Sequence, residues 1–408
     1  MRMRINIDRL KSDLEALSLI GRTPEGGVSR PSFSQADMEA RQWFIQKLKE
    51  ADLAVTVDAA GNIFGRLDGK GPAVISGSHL DTIIDGGFYD GAAGVLSALE
   101  CINTIKEKRI KVKAHLEVVS FADEEEWFYG FLGSDALTGR LKIAALDKVH
   151  DRNGQSLATA MRKAGLDLAL IDQAQRPKND IKAFVELHIE QGPLMEQSGD
   201  AIGVVENVKG DYRYGITFKG QRNHAGSPMP GRRDPMPAAM RLINYMYAQL
   251  DAIESPDVLL TVGAIQADPS LETVIPASVY FSIDFRAPVK DILLKLSDSL
   301  HHEAKRLGQV SGLELTMEPL MIIDPVLFDD SVLEAIRQAA NGLDLKWRHI
   351  SSGAGHDGQV LGRYVPSAMI FVPSQGGRSH CPEEHTTIAH IEAGANVLLH
   401  TLIKLANR

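Results

Sequence analysis

The stretch GSHLDTIIDGGFYDGAAGV, residues 77–95, joins a strand-like run to a helix-like run through a glycine-rich turn. PAVISGSH at 72–79 reads as a buried strand, because apolar residues fill it and turn residues follow. A helix is expected from about Ala92 to Lys108, and AHLEVVSFAD at 114–123 reads as the next strand. Strand, helix and strand in succession indicate an α/β sheet covered by helices. Alternate residues of an extended chain share a side, so His79 and Asp81 project together from the strand end. There His79 can bind a cation while Asp81 holds a neighbouring imidazole ring in orientation. Asp90, in the turn before the helix, can bridge two cations.

Three further loops carry residues of the same kind. SFADEEEWFYGFLGS at 120–134 puts Glu124 and Glu125 just past the carboxyl end of a strand, where ligands bind in open α/β sheets. Adjacent carboxylates suit a division of labour, one binding metal and one moving a proton. Three consecutive glutamates leave Glu126 as an alternative ligand. ELHIEQGPLME at 186–196 delivers His188 from a strand, and GGRSHCPEEHT at 376–386 places His380 after the apolar run SAMIFVPS at 367–374. Together His79, Asp90, Glu125, His188 and His380 form a ligand set for two metal ions and predict metal-assisted hydrolysis.

The texture changes near residue 211. YRYGITFKG has the period of a half-buried strand, and a Pro- and Gly-rich loop, a helix near 235–252, strands near 258–266 and 278–286, a helix near 291–307 and a strand near 313–319 follow. This reads as a smaller α+β insert, after which the α/β pattern resumes at about Pro325. GRRDP at 231–235 reads as an ion-pair loop within it.

The chain has 408 residues, 44% hydrophobic and 24% charged, enough for a sizeable core in two or three folding units. Its net charge of -9 argues against nucleic acid or anionic lipid as partners. MRMRINIDRLKSDLEALSLIG has helical apolar spacing among charges, so it reads as an amphipathic helix and not as a targeting segment. Nothing approaches a membrane span, and with only Cys101 and Cys381 a reducing cytoplasm is expected.

GSHLDT, the Asp90 turn, DEE, ELHIEQGP, NHAG at 223–226, GAGHD at 353–357 and SHCPEE resemble the ordered signature of the M20 metallopeptidase superfamily. The resemblance is to its amidohydrolase branch, which holds N-carbamoyl-L-amino-acid hydrolases, allantoate amidohydrolases and β-ureidopropionases, and it covers nearly the whole chain. It implies a di-metal catalytic domain, 1–210 and 327–408, with a mixed sheet flanked by helices, interrupted by a lid and dimerisation domain at 211–326. By the same resemblance His79, Asp90 and His188 hold one metal, and Asp90, Glu125 and His380 the other. Zn, Mn, Co and Ni all accept such donors. Glu124 would be the general base.

The resemblance also implies that His224 reaches the site of the other subunit of a homodimer and polarises the scissile carbonyl. Arg286 would clamp a substrate carboxylate, with Gln191 and Asn223 as further substrate contacts. The implied reaction is cleavage of the carbamoyl C–N bond of an N-carbamoyl-L-amino acid, with allantoate or another ureido acid as the alternative. A dipeptidase or aminoacylase is disfavoured by His188 and the EQGP turn. The chain departs from the pattern at Thr273, where the family commonly has Asn, and in the loop after DEE, which lacks an arginine and reads EWFYGF. Trp127, Phe128 and Tyr129 are candidates there for a pocket wall or for packing, and Arg378 for a replacement anion contact or a loop charge.

Overall fold

The computed structural model describes residues 3–141 and 143–408. The chain divides into two compact units, Met1–Glu206 with Phe328–Arg408, and Asn207–Leu327. In chain order the strands are β1 (Ala54–Val57), β2 (Ile63–Leu67), β3 (Ala73–His79), β4 (His115–Phe121), β5 (Ile181–Ile189) and β6 (Ile202–Val208). There follow β7 (Gly210–Lys219), β8 (Asn223–His224), β9 (Leu259–Asp268), β10 (Val274–Ile275), β11 (Ser278–Ala287), β12 (Glu314–Ile323) and β13 (Val326–Leu327), then β14 (Trp347–Ser352) and β15 (Ser367–Val372).

The first unit holds a mixed sheet in the order β1-β2-β4-β3-β5-β15-β6, with β14 also paired to β6. Its centre, β4-β3-β5-β15, is parallel throughout, and β1, β2 and β6 run antiparallel to their neighbours. β3 and β15 are buried along their whole lengths. Strands covered on both faces read as unbroken apolar runs, which is why these were visible in the sequence. Helix Ala92–Glu107 packs against β3 and β5, and helix Ile388–Asn407 against β15. The first turn of the former rests directly on β5, since a Cβ on Gly94 would fall 2.2 Å from the Leu187 carbonyl oxygen.

Helix Ile7–Ser18 buries Leu10, Leu14 and Leu17, the face its spacing predicts. Phe128 is buried in a satellite core with Leu132, Leu157, Met161 and Ile171, its ring 6.2 Å from that of Phe33. Trp127 and Tyr129 pack against the same core, so the aromatic run after DEE is packing.

The second unit has an antiparallel sheet, β12-β7-β11-β9. Along β11 burial alternates residue by residue, as expected when one face of a sheet is covered. Helices Pro235–Asp251 and Lys290–Val310 contact it over a core that includes Phe218, Phe281, Phe285, Leu242 and Leu300. β12 runs on to Ile323, beyond the expected end near 319. Its register shifts between Pro319 and Met321, and on an edge strand the missing proline N–H is tolerated. GRRDP is not an ion-pair loop: Arg232 donates to the carbonyls of Ala225 and Ser227, Arg233 to that of Gly312, and Asp234 caps the following helix. Among the described residues no helix is long and apolar enough to cross a membrane.

Candidate metal centre

Because the four central strands of the first unit run the same way, their carboxyl ends meet along one edge of the sheet. β3 ends on His79, β5 carries His188 as its penultimate residue, and the loops after β4 and β15 carry Glu124, Glu125 and His380. Asp90 enters from the turn after β3, and Gly91 next to it has φ 62° and ψ −48°, a conformation open to glycine alone.

Asp90 stands at the centre of the cluster. Its Oδ1 lies 3.0 Å from His188 Nε2 and 3.5 Å from His79 Nε2. Its Oδ2 lies 3.4 Å from His380 Nε2, and that nitrogen is 3.3 Å from Glu125 Oε2. Each carboxylate oxygen therefore faces its own set of donors, and the two groups His79–Asp90–His188 and Asp90–Glu125–His380 are each compact enough to share an ion. Donors bonded to one ion at about 2.1 Å stand roughly 3.4 Å apart in a tetrahedron, so the spacing fits. Glu126 belongs to neither group and is exposed.

The histidines are oriented by main-chain carbonyls. His79 Nδ1 is 3.0 Å from the Asp81 oxygen and His188 Nδ1 2.9 Å from that of Ile189. Donation from Nδ1 leaves both Nε2 lone pairs turned toward Asp90. The sequence reading gave the orienting task to the Asp81 carboxylate, but its nearest approach to His79 is 3.9 Å. Asp81 Oδ2 accepts from the Glu125 N–H at 3.1 Å and from Ser32 Oγ at 3.0 Å. The carboxylate thus fixes the acidic loop, while the carbonyl of the same residue fixes the ring.

Glu124 Oε2 lies 3.7 Å from His79 Nε2. Burial, reinforced by Asp357, Glu125 and Asp90, raises its carboxyl well above the usual range. Burial and then Asp90 push Glu125 up to about 8. Burial opposes ionisation of Asp90 too, yet His188, His380 and His79 hold it well below the ordinary value. A buried cluster this rich in carboxylates is short of positive charge, which divalent cations would supply. Beside Asp90, Gln191 Oε1 is buried with no hydrogen-bond partner among the described residues, a second mark of a missing cationic or donor group. The donor set therefore fits two metal ions.

Gln191, expected as a substrate contact, donates from Nε2 to Asp90 Oδ2 at 2.7 Å. Two residues of the same network had no role in the sequence reading. Glu384 Oε1 accepts from the N–H groups of Tyr89 and Asp90, both at 3.1 Å, and Ser379 Oγ lies 2.7 Å from Glu384 Oε2 and 3.0 Å from Asp90 Oδ2. The only signal for Glu384 was its place in SHCPEE. His356, in the GAGHD stretch, is buried with its ring 4.4 Å from that of His188 and Nε2 bonded to Ser352 Oγ. Burial, with the neighbouring His188, keeps it well below the usual imidazole value. Arg378 pairs with Glu383 at 3.0 Å.

Asn223, His224, Thr273 and Arg286 lie in the second unit. β8 pairs with β10, His224 opposite Val274, and Thr273 accepts from the Ala225 N–H, which brings Thr273 beside the NHAG turn. His224 is exposed, and its Nδ1 accepts from the Gly226 N–H at 3.0 Å. A neutral ring so engaged carries its hydrogen on Nε2 and can donate from there. Asn223 Oδ1 accepts from the His224 N–H. Arg286 lies on β11 between Asp211 and Asp284, 3.3 Å from each.

The sequence profile of peptidase family M20/M25/M40 matches residues 75–404. The chain is 38% identical to an N-carbamoyl-L-amino acid amidohydrolase of Geobacillus stearothermophilus over 98% of both chains. It is 37% identical to an allantoate amidohydrolase of Bacillus subtilis (strain 168) over 96% of both. The crystal structure of an amidase of the hydantoinase/carbamoylase family from Burkholderia multivorans superposes with a TM-score of 0.90 at 35% identity, covering 100% of this chain and 99% of that one.

Proposed function

The chain belongs to peptidase family M20/M25/M40, and from that premise we propose that it hydrolyses the carbamoyl C–N bond of a small N-carbamoyl-L-amino acid. It is a hydrolase of non-peptide C–N bonds in ureido compounds. The observation that carries the proposal is the division of Asp90, one oxygen toward His79 and His188 and the other toward His380, with Glu124 alongside.

His79, Asp90 and His188 would hold one divalent ion, and Asp90, Glu125 and His380 the other, the metal being Zn, Mn, Co or Ni. Bound there, the pair supplies Lewis acidity, acidifying water and polarising the scissile carbonyl. Glu124, beside His79 at the edge of the cluster, takes the proton of the attacking water and returns it to the leaving nitrogen. Water adds to the ureido carbon, its bond to the terminal nitrogen breaks, and ammonia departs. The carbamate left behind loses carbon dioxide and frees the amino acid. His224 would donate from Nε2 to the carbonyl oxygen as negative charge grows there. Arg286 would take the substrate carboxylate, with Asn223, Thr273 and Gln191 as further contacts.

The allantoate activity named for the Bacillus subtilis relative supports a second reading, in which allantoate or another ureido acid is the substrate. With either substrate the proposal takes 211–326 as a lid and dimerisation domain of a homodimer. The unpaired Cys101 and Cys381 suit a reducing cytoplasm. Metal-free enzyme reconstituted separately with Mn²⁺, Co²⁺, Ni²⁺ and Zn²⁺ should release ammonia from N-carbamoyl-L-amino acids. Ammonia from allantoate, ureidoglycolate or β-ureidopropionate alone would select the second reading. Amine release from dipeptides or N-acetyl amino acids alone would overturn both.

A further inference from the structure

Residues 28–34, VSRPSFS, lie outside the stretch matched by the family profile, yet they form a strap over the end of β3. Val28 and Gly86 exchange both main-chain hydrogen bonds, at 2.9 Å each. Arg30 donates its N–H to Thr82 Oγ1 and accepts from the Thr82 N–H. The Arg30 guanidinium is fully buried: Nε donates to the Leu80 carbonyl at 3.0 Å, and Nη1 to those of Ile20 and Leu17. The backbone of residues 80–82 is thereby gripped on both sides of Asp81.

Ser32 is 2% exposed and gives its hydroxyl to Asp81 Oδ2, the oxygen that also accepts from the Glu125 N–H. Asp81 therefore acts in two directions: its carbonyl orients His79, and its carboxylate seats Glu125. Arg30 controls the first by holding the backbone. Ser32 controls the second by holding the side chain.

We infer that Ser32 is a positioning residue for one half of the metal centre, acting through Asp81 on Glu125 and so on the site completed by His380, while Arg30 positions the half built on His79. The inference rests on the di-metal reading above. A hydrogen bond once removed from a ligand commonly changes metal affinity by about 10–100-fold, so the effect is large enough to measure site by site.

The test is calorimetric titration of metal-free full-length protein with Zn²⁺, comparing wild type, Ser32→Ala, Ser32→Cys and His380→Ala. His380→Ala identifies which of the two binding events belongs to the Glu125 side. Ser32→Ala should weaken that event about 10–100-fold and leave the other at its wild-type value, with the melting temperature of metal-free protein moved by less than about 4 °C. Cysteine keeps the shape of serine with a somewhat larger atom in place of the hydroxyl and is a weak donor, so Ser32→Cys should also weaken that event. It serves in place of Ser32→Ala if the alanine variant does not fold. Wild-type affinity in the cysteine variant would assign Ser32 to packing and overturn the inference, as would equal weakening of both events. Because zinc binding is read without substrate, wild-type protein that binds two ions and hydrolyses nothing would sink the proposed activity and leave this inference standing.

Discussion

A Cβ on residue 91 would fall 2.5 Å from the imidazole of His79, so Gly91 and His79 can keep their places only together. The turn that brings Asp90 to the centre is built against the ring it serves. Gly91→Ala combines this overlap with a backbone conformation closed to other residues, each costing about 1–3 kcal/mol. The variant should lose at least one of two bound ions and most activity. Elemental analysis checks this, and two ions per chain with wild-type turnover would show that the turn is more compliant than the geometry implies.

Glu124→Gln keeps the shape of the side chain and removes its capacity to take a proton. Turnover should fall by about 10²–10⁴ while both ions stay bound. Unchanged ammonia release would mean that another group is the base.

His224 has Nδ1 occupied by the Gly226 N–H, leaving Nε2 as its donor. His224→Ala should lower kcat by about 10²–10³ with metal content unaltered. A loss confined to KM would place the residue in substrate binding and remove it from the chemical step.

Asp58 gives a pH dependence away from the metal centre. Burial pushes its carboxyl up to about 6, although the N–H groups of Ala60 and Asn62 and the Asn62 amide donate to it. In the unfolded chain it titrates near the ordinary value of about 3.9. The folded protein therefore binds the extra proton between about pH 4 and 6, so the contribution of Asp58 to stability is full below about pH 4 and lost as pH rises through 6. Two units correspond to about 3 kcal/mol. Between pH 4 and 7 the urea midpoint of wild type should fall relative to that of Asp58→Asn, and parallel midpoints would contradict the raised value.

What could be read from the sequence was what local pattern records. The runs ending at His79, Phe121, Ile189 and Val372 are legible as strands because burial on both faces makes them mostly apolar. The acids and histidines at or just past their ends stood out against those runs. Contacts distant in sequence could not be read. The Asp81 carboxylate turns to Ser32 and the Glu125 N–H and not to His79, and no periodicity encodes that. Arg30, which no local pattern singled out, is buried with its Nε and Nη1 donating to main-chain carbonyls. Gln191 was read as a substrate contact from the family resemblance, while its bond to Asp90 spans 101 residues. The strand expected near 313–319 runs on to Ile323, since a bulge on an edge strand leaves no mark in the hydrophobic pattern.

The order of donors along the chain has a consequence for synthesis. His79, Asp90 and His188 are all translated before the inserted unit begins at Asn207, whereas His380 follows that unit and the strand β15. In the finished sheet β15 lies between β5 and β6, both of which are made long before it. On the ribosome, then, the donors proposed for one ion are complete while those proposed for the other still await the last strand to be wedged into the sheet. The two halves of the centre become available one after the other.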